Sequence, residues 1–171
     1  MFKYGAILTG VADDAHWLSE DEERSWRTYL FASQDVDAAL DRQLQRDAGM
    51  PHAYYAILTV LVDAGVDGLR MSDLARSLRF SPSRLAHAVA SLERSGWVER
   101  HECPTDRRGQ IATVTPAGAS AQRAAAPGHV ALVRSLLFDH LAPDDVAHLQ
   151  RIFESIGRRA AQSVPGPSPN S

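Results

Sequence analysis

At 171 residues and 44% hydrophobic, the chain is long enough for one compact domain with additional helical arms. Its single cysteine, Cys103, excludes an intrachain disulfide and a four-cysteine metal site, and no apolar run is long enough to span a membrane. The formal net charge of −3 is unevenly spread: residues 70–110 hold eight Arg against five carboxylates, a net +3, while residues 1–69 carry −7 and residues 111–171 carry +1. An acidic protein with one basic segment confines its anion-binding surface to that segment.

Residues 1–16 read as an N-terminal extension. The opening MFKYGAILTG is too short for a secretory signal and no cleavage site follows it, so a cytoplasmic protein is expected. From about Ser19 to Arg46 a helix is predicted, with Trp26, Tyr29, Leu30, Ser33, Val36, Leu40 and Leu44 along one face. Ser19 and Glu22 form a capping-box pattern, and the acidic run Glu20–Glu23 suits the positive end of the helix dipole. Pro51 starts a second helix, with Tyr54, Ile57, Leu58, Leu61 and Val62 facing inward.

Between Arg70 and Gly118 the order is helix, turn, helix, strand, loop, strand. Ser72 is placed to cap the first helix over inward Leu74, Ala75 and Leu78. Ser81-Pro82 restarts the chain as a second helix, because Ser caps free N–H groups and Pro at the first helical position has none to waste. Leu85, Val89 and Leu92 make its buried stripe, and Gly96 ends it in a left-handed cap. The opposite face is left to Ser83, Arg84 and His87, side chains able to reach base edges or phosphates. Trp97–Cys103 and Ile111–Thr115 alternate as strands. The intervening Pro104–Gly109 is turn material that offers Arg107 and Arg108 at a tip suited to a narrow minor groove. This order is that of a winged helix-turn-helix.

Thr115-Pro116 begins a further helix, which Pro127-Gly128 is expected to kink or interrupt. The last helix starts at Pro143, with Asp144 and Asp145 in its first turn and Val146, Leu149, Phe153, Ile156 and Ala160 on one face. Residues 163–171, SVPGPSPNS, are expected to be disordered. The first and last helices lack another core to bury against, and a second copy of the chain supplies one. Two-fold symmetry then sets two recognition helices about one DNA turn, ~34 Å, apart. The fold class is therefore mainly α with a small β-wing. The organisation is an extension (1–16), an N-terminal dimerisation helix (17–50), a winged helix-turn-helix DNA-binding domain (51–116), C-terminal dimerisation helices (117–162) and a tail (163–171).

Three blocks carry a resemblance to a known family. They are Asp106-Arg107-Arg108-Gly109-Gln110-Ile111-Ala112-Thr113-Val114-Thr115-Pro116-Ala117-Gly118, Leu92-Glu93-Arg94-Ser95-Gly96-Trp97-Val98-Glu99-Arg100 and Arg70-Met71-Ser72-Asp73-Leu74-Ala75. In these the chain resembles the MarR family of bacterial transcriptional regulators from about Trp17 to Ala161, with Val114 where the wing signature usually has Leu. The resemblance implies a homodimer that binds a pseudo-palindromic double-stranded operator, most often as a repressor, through Ser72, Ser81, Ser83, Arg84, His87, Asp106, Arg107 and Arg108. In the wing, Asp106 would orient an arginine that enters the minor groove. It also implies a small aromatic or phenolic effector, for which Trp26, Tyr29, Tyr54 and Ile57 are candidate lining residues and Arg70 a candidate anion partner.

Other readings are weaker in the residues. Relatives that sense peroxide use a cysteine near the first helix, and none stands there. The seven histidines have no close ligand spacing, so no metal or other cofactor is expected, although His140 and His148 would flank a turn near His16 or His52 of a second copy. A winged helix used for protein contacts would expose an apolar face on its second helix, whereas here that face is polar. No Gly-rich phosphate loop, nucleophile elbow or paired-carboxylate motif suggests an enzyme.

Overall fold

The computed structural model describes residues 17–103 and 106–163, with backbone alone at Arg107, Arg108 and Ser163. The expected extension, most of the expected tail, and the turn residues Pro104 and Thr105 lie outside the described residues. The chain divides into two units, residues 1–37 and 38–171, and helix α1 (Glu20–Ala48) contributes to both.

In the first unit the predicted capping box forms. Ser19 N–H donates to Glu22 Oε2 at 2.8 Å and Glu22 N–H donates back to Ser19 Oγ at 3.3 Å. These bonds satisfy two donors that helix geometry leaves over and hold the Glu22 carboxyl below its ordinary pKa. Trp26 and Tyr29 stack at 5.7 Å between ring centroids, and both remain substantially exposed, as do Trp17, Leu18 and Phe31.

The second unit holds the core. The end of α1 contributes Leu44, fully buried, and α2 (His52–Ala64) contributes Ile57, Leu58 and Leu61. Tyr54 is half-buried, and it is Tyr55 that is buried. Periodicity picks the face toward one neighbour, but a second neighbour meets Tyr55: its ring lies 4.5 Å from that of His129. A one-turn 3₁₀ segment, Gly65–Asp67, leads into β1 (Leu69–Arg70), a strand too short to leave a sequence pattern. Helix α3 (Met71–Leu78) follows without a gap. Its N-cap is Arg70, with no side-chain cap bond, so Ser72 lies inside the first turn and does not cap it. The pairing of Leu69 and Arg70 with Ala112 and Ile111 holds the chain extended up to the first helical residue, which leaves no room for a Ser72 cap.

Helix α4 (Pro82–Arg94) begins and ends as its residues predict. Ser81 Oγ accepts the Arg84 N–H at 3.2 Å, and Gly96, at φ +71°, closes the far end with N–H bonds from Gly96 to Glu93 O and from Trp97 to Leu92 O, both 2.9 Å. Leu85, Val89 and Leu92 are completely or almost completely buried, each worth about 1.5–3 kcal/mol of transfer free energy. Strands β2 (Val98–Cys103) and β3 (Asp106–Val114) form an antiparallel sheet with β1, in the order β1-β3-β2.

Two further expectations change. Strand β3 begins at Asp106, so Arg107 and Arg108 lie in the strand rather than in a loop. Pairing runs from Cys103–Asp106 directly to Glu102–Gln110, so the residues between form a register irregularity. Helix α5 (Pro116–Val133) runs unbroken through Pro127 and passes into a π-helical turn at Arg134–Phe138. Packing on α1 outweighs the one lost N–H bond: a Cβ on Gly128 would stand 3.0 Å from Gln43 Nε2, so glycine here permits close helix approach. Helix α6 (Pro143–Ser163) leaves Ile152, Phe153 and Ile156 exposed. No described helix is long and apolar enough to cross a membrane.

Candidate nucleic-acid interface

Helix α4 turns Leu85, Ala88, Val89 and Leu92 inward, which leaves Ser83, Arg84 and His87 exposed near its N-terminus. The Arg84 guanidinium sits 4.0 Å above the centre of the Phe80 ring. Cation–π attraction and the planar stack restrain a long side chain that would otherwise sample many rotamers. Ser81 Oγ also lies 3.3 Å from Ser83 Oγ, so the helix start presents two linked hydroxyls beside Arg84. Phe80 has no polar group that would mark it for an interface. Its position immediately before the N-cap, where a hydrophobic staple residue sits, was the available signal.

Around this face, the remaining arginines divide by partner. Arg76 pairs with Asp73 at 2.9 Å on α3, and Ser72 stands exposed beside them. Arg79 occupies the left-handed region at φ 56° and lets α3 close with an N–H bond from Phe80 to Ala75 O at 3.0 Å, which delivers Phe80 to Arg84. Arg70 reaches Asp106 at the start of β3, at 3.6 Å, so the residue expected to hold an effector anion stands at the base of the wing. Arg107 and Arg108 follow Asp106 on the same strand.

The wing is tied to α4 by two devices. Arg100 Nε on β2 donates to Glu93 Oε2 at the end of α4, 2.8 Å away. Thr115 Oγ1 donates to Gly96 O at 2.7 Å and accepts the Gly118 N–H at 3.0 Å, so one hydroxyl both caps α5 and grips the turn after α4. Gly118 has no alternative here, because a Cβ would collide with the carbonyl of Trp97. These contacts give physical roles to the Leu-Glu-x-x-Gly-x-Val-x-Arg block and to the final glycine of the wing signature.

The other candidate effector residues fall in both units. Trp26 and Tyr29 belong to the first unit, Tyr54 is half-buried on α2, and Ile57 is completely buried in the core. His129, half-buried, has its pKa lowered by desolvation and by nearby His52, 5.5 Å away between rings. Among the described residues, no group of three or more His, Cys, Asp or Glu is close enough to hold a metal ion.

Comparison with known proteins places this geometry. The MarR family pattern matches residues 48–109. Sco3205, a MarR family transcriptional regulator from Streptomyces coelicolor solved in complex with DNA, is 44% identical, with a TM-score of 0.82 over 89% of this chain and 96% of that one. AbsC, a MarR family transcriptional regulator from the same organism, is 36% identical, also with a TM-score of 0.82, over 87% of this chain and all of its own 100%. CouR from Rhodococcus jostii RHA1, solved bound to p-coumaroyl-CoA, shares the fold at 20% identity and a TM-score of 0.68, over 82% of this chain and 95% of that one. The HTH-type transcriptional regulator PrsX of Escherichia coli is 30% identical over 70 residues, 41% of this chain, and the chain spans only 42% of the length of that curated relative.

Proposed function

Because the chain belongs to the MarR family of transcriptional regulators, we propose that it is a repressor that binds a pseudo-palindromic double-stranded operator as a homodimer. The observation that carries this reading is Arg84: a restrained, exposed guanidinium beside the N-terminus of a helix whose other face is sealed in the core. A bidentate guanidinium–guanine contact is worth about 1–3 kcal/mol of discrimination, and rigid support lowers the entropy lost in making it. Ser72, Ser81, Ser83 and His87 supply neighbouring polar contacts, and Arg107 and Arg108 carry positive charge along the wing. An arginine in a narrow minor groove gains from the enhanced negative potential there without a base-specific bond.

Fluorescence anisotropy with promoter DNA from upstream of the chain's own gene, against scrambled DNA, tests the reading. Arg84→Ala should lose discrimination by about 1–3 kcal/mol per half-site. Equal weakening on both DNAs would make Arg84 a phosphate clamp. Arg108→Ala should weaken both DNAs and reduce the salt slope by about one unit, and an unchanged slope would remove Arg108 from the interface.

Release by a small aromatic or phenolic effector completes the proposal, supported by the exposed Trp26–Tyr29 stack. Coupling between effector and operator must be reciprocal and of order 1–3 kcal/mol. Titrating candidate acids against Trp fluorescence, with and without operator, should give weaker ligand binding when DNA is present, and equal affinities would exclude the effector tested.

A further inference from the structure

Helices α3 and α4 end in the same way but on different residues. In α3 the N–H of Phe80 donates to Ala75 O at 3.0 Å, and in α4 the N–H of Trp97 donates to Leu92 O at 2.9 Å. Both bonds are of the kind that needs the residue before the donor in the left-handed region. At the end of α4 that residue is Gly96, φ 71°, and at the end of α3 it is Arg79, φ 56°. A Cβ on Gly96 would meet nothing within 4 Å, so glycine stands there for its torsion and not for space. Arg79 holds a similar torsion against the crowding of its Cβ by the backbone. It is the only non-glycine residue with positive φ among the described residues.

Glycine would suit the α3 turn better, and what arginine adds there is its side chain. Within the fold that side chain has nothing to hold. Its neighbours Arg76, Arg84, Arg94 and Arg100 are each engaged, by Asp73, the Phe80 ring, Ser91 Oγ and Glu93. Arg79 is exposed, with no ion pair or side-chain hydrogen bond among the described residues. The turn it occupies leads directly into Ser81, the N-cap of α4. A strained backbone that supports no contact within the fold is characteristic of a residue kept for binding.

We propose that Arg79 is a phosphate clamp: its guanidinium, at the turn between α3 and α4, grips the DNA backbone and fixes the register of α4 on the duplex, while its torsion lowers the stability of the unbound protein. Phosphate contacts position a protein and base contacts specify the sequence. The second task falls to Arg84, the arginine with a platform beneath it. The first suits Arg79, whose backbone is locked in the turn and whose side chain is unsupported. The inference rests on the operator reading and assigns a residue outside the set considered for it above.

The test combines thermal melting of the DNA-free, full-length protein with anisotropy on the promoter duplex and its scrambled counterpart across a salt series. Arg79→Gly should raise the melting temperature by about 2–4 °C, because the turn is then unstrained. It should also weaken binding to both duplexes by roughly tenfold per half-site and reduce the salt slope by about one unit per half-site. Arg79→Asn, which tolerates the left-handed region without a charge, should show the same loss, so that a loosened turn is not its cause. Arg79→Lys should keep the wild-type salt slope. The ratio of promoter to scrambled affinity should stay at its wild-type value in all three variants, unlike in Arg84→Ala. A lowered melting temperature for Arg79→Gly, an unchanged salt slope for Arg79→Asn or a slope lost in Arg79→Lys would each overturn the proposal. Wild-type discrimination between the duplexes would in those cases leave the operator reading standing, whereas a wild type that binds neither duplex would overturn both.

Discussion

Helices α4 and α6 are both amphipathic, yet their apolar faces meet different fates. In α4, Leu85, Val89 and Leu92 are at most 1% exposed, closed over by the rest of the core. In α6, Ile152, Phe153 and Ile156 are 46–51% exposed. An apolar stripe drives burial but does not say against what. Where the chain supplies the cover, the helix becomes part of one protomer's core. Where it does not, a second copy is the economical cover, in keeping with the homodimer proposed above.

The largest expected effect lies on the α4 side. Leu92→Ala should destabilise the protein by about 2–5 kcal/mol, read by urea denaturation at fixed protein concentration, because it opens a cavity in a closed core. A loss below ~1 kcal/mol would mean that α4 is less firmly held than its burial implies. The matching change on α6, Ile156→Glu, should leave the protomer folded and separate the dimer. Sedimentation should then give a mass near the single-chain 18.7 kDa, and a variant that stays dimeric would show that this face is not the one covered.

Gly118→Ala tests the anchor between α4 and the wing. The added methyl must displace the Trp97 carbonyl, at an expected cost of about 1–3 kcal/mol. An unchanged melting curve would show that the turn after α4 yields freely. A smaller effect is expected from Phe80→Leu, which keeps an apolar residue before the cap but removes the platform under Arg84. Operator affinity should fall by about 0.5–1 kcal/mol with little change in stability. If affinity is unaffected, the stack is not what readies Arg84.

The smallest effect is a pH dependence from His129. Its folded pKa is depressed, chiefly by burial, so the unfolded chain binds the proton more readily. The contribution to stability is therefore complete above the ordinary histidine value of 6.5 and is lost as pH falls below it, levelling off once the folded form also protonates. Midpoints of urea denaturation between about pH 7.5 and 5 should decline less steeply for His129→Gln than for the wild type. Parallel curves would assign the decline to other groups.

Much of this architecture was legible in the residues because it depends on near neighbours in the chain. The Ser19–Glu22 box, the Ser81-Pro82 start, the Gly96 stop and the Leu85–Val89–Leu92 stripe are all interactions over three or four residues. A helix makes those contacts wherever it is placed. The resemblance to the MarR family was carried by similarly local blocks. What the residues alone left undetermined depended on partners distant in the chain. Tyr55 rather than Tyr54 is buried because α5 brings His129 to it. Met71, not a residue after Ser72, opens α3 because β1 pairs with β3 some forty residues on. Pro127 does not break α5 because Gly128 lets that helix press on Gln43. The tie of Glu93 to Arg100 and the seat of Arg84 on Phe80 likewise needed a turn to bring two elements together. Local chemistry determined which segments become helices and which faces are apolar. Only tertiary contact decided which of those faces is closed and which arginine is held ready, since both depend on what another part of the chain places opposite.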